Sequence, residues 1–496
     1  MYNIAMETKT NKFLNILFFL SVIFIIISGI YLRFNIYLDG YSLWMDELML
    51  SESVIYNPIF SSLYSLEAGQ KAPPLFVFFT YINSIIANSC NVYVLRFIPF
   101  ISSIGTLIAF YFLSKRIFKS RIAVIVSLFL VSINTALIFY ANEFKPYSSD
   151  VFICILLLLS YEYIDLKNFT IKKTLLYSVL IFFTVLSSFP SVYIIPALLI
   201  SKIIEQKRFP LKLIFPFFSL AAGSLYLIWM FRNIRTIELN LEYWQSGFFN
   251  FTFSSLFNII NEFFNFLELN LSWSIICLIS GILIFISQKN KYRLLIILII
   301  FFVLLGSYFK ILPLKERIML YMTPIFILLM SKPAEMLKTI KEQKVHAFII
   351  SVFISGMLLF SVKNYNLTNL NSIVRMQPYQ DRIQVKKDVE TILNNYNNEL
   401  IITDCSDFQG SVKYYNLVQK KLLNLKMMEY YDDFENKLNT LKQFKDIHLI
   451  IRATSENYPY FYNKIKKISA ENNLEYNDNF IDNNKNVHLV HIYKKP

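Results

Sequence analysis

The stretch FLNILFFLSVIFIIISGIYL, Phe13 to Leu32, runs twenty residues without a charge. At about 1.5 Å per helical residue that is enough to cross a hydrocarbon core of about 30 Å. No small-residue cleavage site follows it, so it reads as a retained anchor and not as a removed signal. Comparable runs recur at 94–114, 122–140, 148–164, 174–188, 190–204, 211–231, 272–287, 293–309, 318–331 and 346–362, which makes eleven spans. The bulk numbers agree: 55% of the 496 residues are hydrophobic and only 17% are charged, which excludes a soluble globular protein.

The net charge of +14 could point to nucleic acid, but its distribution points to a membrane. With eleven spans and a cytoplasmic N-terminus, the inner loops hold 20 lysines and arginines. The outer loops before residue 363 hold 9, namely Arg33, Lys71, Arg96, Lys145, Arg232, Arg235, Lys310, Lys315 and Arg317. Lipid-facing proteins keep their cations on the cytoplasmic side, so this division sets the orientation and argues against a nucleic-acid partner. One further apolar stretch, Pro73 to Ala87, would reverse every later loop if it crossed, so it is expected to lie in or dip into the outer interface. Four cysteines, Cys90, Cys154, Cys277 and Cys405, show no paired spacing and define neither a disulfide framework nor a zinc site.

After Val362 the composition changes to Asn, Lys, Asp and Tyr, which separates a membrane domain, 1–362, from an extracytoplasmic domain, 363–496. Within the latter, helical periodicity covers 381–396, 409–416 and 460–472, and strand patterns cover Leu400–Asp404, His448–Ile451 and Val487–Tyr493. The expected fold is a polytopic α-helical membrane protein of about eleven transmembrane helices plus interfacial helices, with a small α/β C-terminal soluble domain. It belongs in the plasma (inner) membrane. Its largest outer loops, 33–93 and 232–271, are where function should concentrate.

The first of these carries Ser42-Leu43-Trp44-Met45-Asp46-Glu47. Tryptophan prefers the headgroup level, so the adjacent carboxylates are expected at the interface, where partial desolvation makes a carboxylate a better proton acceptor. The same residues suit an acidic first turn of an interfacial helix. Lys71-Ala72-Pro73-Pro74 closes the loop, and Lys71 fits either a phosphate or a lipid headgroup. The second outer loop, Tyr140 to Tyr147, is so short that Glu143 and Lys145 must sit near the hydrocarbon boundary, as a local ion pair or as contacts to substrate. A third cluster holds Lys315, Glu316 and Arg317, and the planar fork of Arg317 suits phosphate oxygens.

Together these segments resemble the GT-C type polytopic glycosyltransferases that use polyprenyl-phosphate-linked sugars, close to the protein mannosyltransferase and aminoarabinose transferase group of glycosyltransferase family 39. The resemblance rests on Ser42 to Glu47, Lys71-Ala72-Pro73-Pro74-Leu75, Leu95-Arg96-Phe97-Ile98-Pro99, Tyr140 to Tyr147 and Arg317 to Pro324. It implies that Asp46 is the catalytic carboxylate, supported by Glu47. It also implies that Asn142-Glu143-Phe144-Lys145-Pro146-Tyr147 is a version of a Gln-Glu-x-Arg-x-Tyr pattern, with Asn142 for Gln and Lys145 for Arg. Where that family often carries a His or aromatic pair, this chain has Ser187-Ser188-Phe189-Pro190.

The implied partners are a polyprenyl-phosphate sugar lipid and a glycan, lipid or protein acceptor. Lys71, Glu143, Lys145, Tyr147, Lys315 and Arg317 are the candidate donor-phosphate or substrate contacts. The residues fix no cofactor and leave metal dependence open: Asp46 and Glu143 could contribute to a divalent metal site, for which three or more oxygen ligands are needed. A lipid-linked polysaccharide polymerase or ligase is the alternative, and a transporter or flippase a more distant one.

Overall fold

The structure, a computed structural model, describes residues 2–339 except 57–58, 60–62, 65, 67–69, 168–169, 233–240, 268–270 and 288–289; beyond 339 it describes a sheet and scattered helical residues. Among the described residues fourteen α-helices run in chain order: α1 Tyr2–Asp39, α2 Met45–Ile55, α3 Pro74–Ala87, α4 Val92–Ile117, α5 Arg121–Ile133, α6 Thr135–Tyr140 and α7 Tyr147–Ser160, then α8 Ile171–Ser187, α9 Ser191–Gln206, α10 Ile214–Met230, α11 Phe253–Phe266, α12 Leu271–Ser287, α13 Arg293–Tyr308 and α14 Thr323–Ser331. Each of the first ten expected spans falls on one or more of these helices, whereas 346–362 lies outside the described residues. Four stretches are long and apolar enough to cross a membrane: Asn15–Asp39, Val92–Ile117, Leu211–Met230 and Glu316–Glu335. This is an integral membrane protein.

The span expected at 122–140 is not one helix. It breaks at Asn134, whose backbone leaves the helical region at ψ 119° and whose carboxamide oxygen accepts the Leu137 N–H at 3.0 Å, capping α6. A break leaves the last carbonyls of α5 without partners. Arg33 supplies them: its guanidinium donates to the carbonyls of Ser132 at 2.9 Å and Val131 at 3.2 Å, and also to Gly29 O and Ser103 Oγ. Arg33 is therefore fully buried, binding α1, α4 and α5 together, and is not the outer-loop cation expected from its position.

Loops assigned to one side of the membrane meet one another. At one end, Glu162 pairs with Arg116 at 3.2 Å and with Lys291, and accepts the Tyr292 hydroxyl, while Glu335 accepts the Lys119 N–H at 2.5 Å. At the other end, Asp46, Lys145 and Arg317 come together. The segment Pro73 to Ala87 forms α3 without reversing this order. The end of α1 and the start of α4 touch, Tyr37 Oη donating to Tyr93 O at 2.7 Å and Tyr93 Oη to Leu38 O at 3.1 Å. The chain between them leaves and returns at the same end. The outward side of α3, with Phe79, Ile85 and Ile86 exposed, is a greasy surface suited to lipid.

Beyond residue 339 a five-stranded sheet forms, with β1 Leu400–Thr403, β2 Lys426–Met427, β3 Asp446–Arg452, β4 Leu474–Phe480 and β5 Val487–Lys494 in the order β2-β1-β3-β5-β4. β1 runs parallel to β2 and β3, and β5 antiparallel to β3 and β4. The sequence pattern marks β1, β3 and β5, which are interior to the sheet. It misses β2 and β4, the edge strands, since an edge needs no continuous apolar run and β4 reads LEYNDNF.

Gly40 links α1 to the loop that leads into α2 at φ +50°, and a Cβ there would clash with the Tyr93 hydroxyl, which is already held by Leu38 O. Gly40→Ala should therefore cost about 1–3 kcal/mol in left-handed strain and crowding, seen as a lower melting temperature in detergent. An unchanged melt would mean the connection relaxes freely.

Candidate active site

α2 begins at Trp44, which has extended backbone (φ −89°, ψ 172°). Glu47 folds back on this start and accepts the Trp44 N–H at 3.2 Å, satisfying one of the free donors of the first turn. The same carboxylate is fully enclosed. Arg96 grips it with two parallel bonds, Nε to Oε1 at 2.9 Å and Nη2 to Oε2 at 2.8 Å. Oε1 also accepts the Phe144 N–H at 2.6 Å, and Oε2 accepts Arg382 Nη2. Burial alone would raise the pKa of Glu47, but the Arg96 and Arg382 guanidiniums and these hydrogen bonds outweigh it and hold the carboxyl below its ordinary range.

Glu143 is as deeply buried and sits differently. One oxygen accepts Arg382 Nη1 at 3.0 Å, while Oε2 has no hydrogen-bond partner among the described residues. Burial, reinforced by the charge of Glu47 and only partly offset by Arg382, raises its pKa above the ordinary glutamate value. Two acids and two arginines thus share one enclosed space, with the Tyr41 ring 4.0 Å from the Arg96 guanidinium and 4.5 Å from that of Arg382.

Asp46 faces elsewhere. Consecutive helical residues are about 100° apart, so when Glu47 points inward Asp46 points sideways, and its side chain keeps 26% of its exposure. Its Oδ2 lies 3.4 Å from Arg317 Nη2 and 3.9 Å from Lys145 Nζ. Arg317 is held at the ring faces of Trp44, 5.0 Å away, and Trp244, 5.9 Å away. Lys145 is almost fully buried and donates to Gln70 Oε1 at 2.6 Å; burial lowers its pKa, with Asp46 opposing. The buried indole N–H of Trp44 has no partner among the described residues. An unpaired donor there and an unpaired acceptor on Glu143 are groups that a polar ligand would satisfy.

Of the residues singled out in the sequence, the structure gathers Asp46, Lys145 and Arg317 into one contact and buries Glu47 and Glu143 behind them. Tyr147 packs edge-on against Tyr140, with ring centres 5.4 Å apart. Lys71 is exposed and makes no ion pair among the described residues, next in sequence to the Gln70 that holds Lys145. Lys315 pairs with Glu262 of α11 at 3.0 Å and makes no ion pair with Asp46 among the described residues. Three residues escaped sequence reading: Gln70, Trp244 and Arg382. Arg382 sits at the head of a helical pattern whose apolar periodicity is visible but whose partner, 335 residues away, is not.

A divalent cation does not fit this arrangement. Asp46 is turned to two cations and Glu143 to a third, and no group of three His, Cys, Asp or Glu converges among the described residues.

The fold described above is similar to that of two solved proteins. ArnT from Cupriavidus metallidurans, solved bound to undecaprenyl phosphate, superposes with a TM-score of 0.52 at 9% identity, covering 97% of this chain and 98% of that one. Its apo form gives the same score and identity, over 99% and 98%. The apo oligosaccharyltransferase of Archaeoglobus fulgidus gives 0.50 at 13% identity, over 93% of this chain and 69% of that one. No protein-family model and no curated protein matches the sequence.

The opposite shifts of the two buried acids separate them by pH. With its pKa held below 4.5, Glu47 contributes stability above that value, lost as pH falls through the depressed folded value. With its pKa raised, Glu143 contributes below 4.5, and that stability is lost as pH rises through its folded value. Melting curves from pH 4 to pH 8 should show Glu47→Gln about 3–5 kcal/mol weaker than wild type at neutral pH, with the gap closing in acid. Glu143→Gln should gain on wild type as pH rises. Parallel curves for the two variants would contradict the assignment.

Proposed function

We propose that the protein transfers a sugar from a polyprenyl-phosphate donor to an acceptor hydroxyl at the outer face of the membrane, with inversion and with Asp46 as base. The observation that carries this is the contact of one partly exposed carboxylate with two held cations, Arg317 and Lys145, at the end of the bundle where α3 offers an apolar surface. A donor lipid needs all three: a base, a phosphate clamp and a greasy path.

In the reaction the acceptor oxygen attacks the anomeric carbon, its proton passes to Asp46, and the bond from that carbon to the phosphate oxygen breaks with its electron pair. The phosphate goes from one negative charge toward two. Fixed cations therefore bind the transition state more tightly than the ground state. Arg317 and Lys145 supply them, and Lys71 adds a mobile ammonium at the rim. As the phosphate takes over the two cations, Asp46 is released from them to receive the proton. Lys315 is neutralised by Glu262 and shapes the wall through its side-chain stem against Gly247. The buried Trp44 N–H and Glu143 Oε2 are placed for the polar groups of donor or acceptor. The acceptor class is a glycan, a lipid or a protein, and the α/β tail, lying outside the membrane, is its natural docking domain.

The sidedness rests on the 20-to-9 division of cations. A reporter joined after Val362 should read as extracytoplasmic and one at Lys338 as cytoplasmic. The reverse result would place the site with nucleotide donors and end this reading.

Asp46→Asn should reduce release of undecaprenyl phosphate from a labelled undecaprenyl-phosphate sugar by about 10²- to 10⁴-fold while the protein still folds. Arg317→Ala should weaken undecaprenyl phosphate binding by about one to two decades, with Arg317→Lys recovering part of it because the charge stays and the fork goes. Full turnover in Asp46→Asn would remove the base.

A further inference from the structure

Arg382 belongs to the chain beyond the last described membrane helix, yet its side chain is enclosed by residues of the first loop. It is fully buried. Its guanidinium reaches Glu47 and Glu143, and its Nε donates to the Ser42 carbonyl at 3.2 Å. Its own carbonyl accepts the Ser42 N–H at 3.2 Å and the Ser42 hydroxyl at 2.9 Å. Ser42 is thus held from both sides of its peptide, four residues before Asp46. Around this plug, Val385, Val389 and Tyr414 bury themselves with Leu43, Leu48 and Phe144, while Lys386 Nζ donates to Asp39 O at 3.1 Å and Tyr414 Oη to Cys90 O at 2.5 Å.

We propose that Arg382 is a positioning residue for the reaction: inserted from the C-terminal segment between Glu47, Glu143 and Ser42, it fixes the turn that carries Asp46, so that the active site is complete only with the tail docked. The charge count supports this. Glu47 and Glu143 bring two carboxylates into a dry space, and Arg96 alone leaves one uncompensated; Arg382 closes the balance and adds directional bonds that a point charge could not. A fork is required at this position, since it bonds two carboxylates and a carbonyl at once. The inference rests on the assignment of Asp46 as base, and its test separates the two.

In full-length protein with Cys90, Cys154, Cys277 and Cys405 replaced, Asp46→Cys gives a thiol whose reaction rate with a charged methanethiosulfonate reports the order of the turn without any turnover. Adding Arg382→Ala should raise that rate about tenfold or more. With native Asp46, Arg382→Ala should lower kcat for undecaprenyl phosphate release about 10²-fold per folded molecule, with donor KM changed far less, as displacement of a catalytic group by about 1 Å does. Should Arg382→Ala fail to fold, Arg382→Ala/Glu143→Gln removes the unbalanced charge and should recover the melt but not the turnover, and Arg382→Lys should fold with intermediate labelling. An unchanged labelling rate in every folded Arg382 variant overturns the proposal, as does an unchanged kcat. If wild type releases no undecaprenyl phosphate while labelling still responds to Arg382, the transferase reading fails and the positioning role stands.

Discussion

Glu47 is a fully buried carboxylate, and most of this end of the bundle is arranged to make that tolerable. An ion of this size loses several kcal/mol of hydration on burial, roughly the stability of a whole domain's margin, unless charges and donors replace the solvent. Here the replacement comes from four places in the chain: the N–H of Trp44, the N–H of Phe144, Arg96 at the head of α4, and Arg382. Each partner drags its own segment inward. The first loop, the short connection between α6 and α7, and the tail are pinned by one group of atoms.

The neighbour of that carboxylate inherits its position. Asp46 has no comparable set of bonds; it is turned outward because Glu47 is turned inward, and it meets Arg317 and Lys145 at distances of 3.4 and 3.9 Å that are loose for ion pairs. One acid of the pair is thus committed to architecture and the other stays partly exposed. The aromatic rings do similar work for the cations, since Trp44 and Trp244 hold the Arg317 fork without consuming its N–H donors.

Much of this was readable from the residues. Hydropathy located the helices of the bundle because lipid leaves the backbone no other way to satisfy itself. The acidic loop, the short second loop and Arg317 stood out as charges beside apolar spans, and Asp46, Lys145 and Arg317 do meet. The sequence could not show the division of labour between Asp46 and Glu47, since adjacent identical charges carry no mark of which is enclosed. Nor could it show that Arg33 and Arg96 are interior: an arginine next to a span reads as a headgroup contact until its acceptors are known, and two of those of Arg33 are free only because α5 stops at Asn134. Arg382 was invisible for the same reason, its acceptors being supplied by loops encoded long before it.

That sequence separation has a consequence in time. A ribosome delivers Glu47 and Glu143 to the membrane more than two hundred residues before it delivers Arg382, the separations being 335 and 239 positions. Through most of its own synthesis the chain carries both acids without the Arg382 guanidinium that joins them in the finished fold, and that pairing forms only after residue 382 has emerged. A chain released early would be a membrane bundle whose two buried acids lack that shared guanidinium.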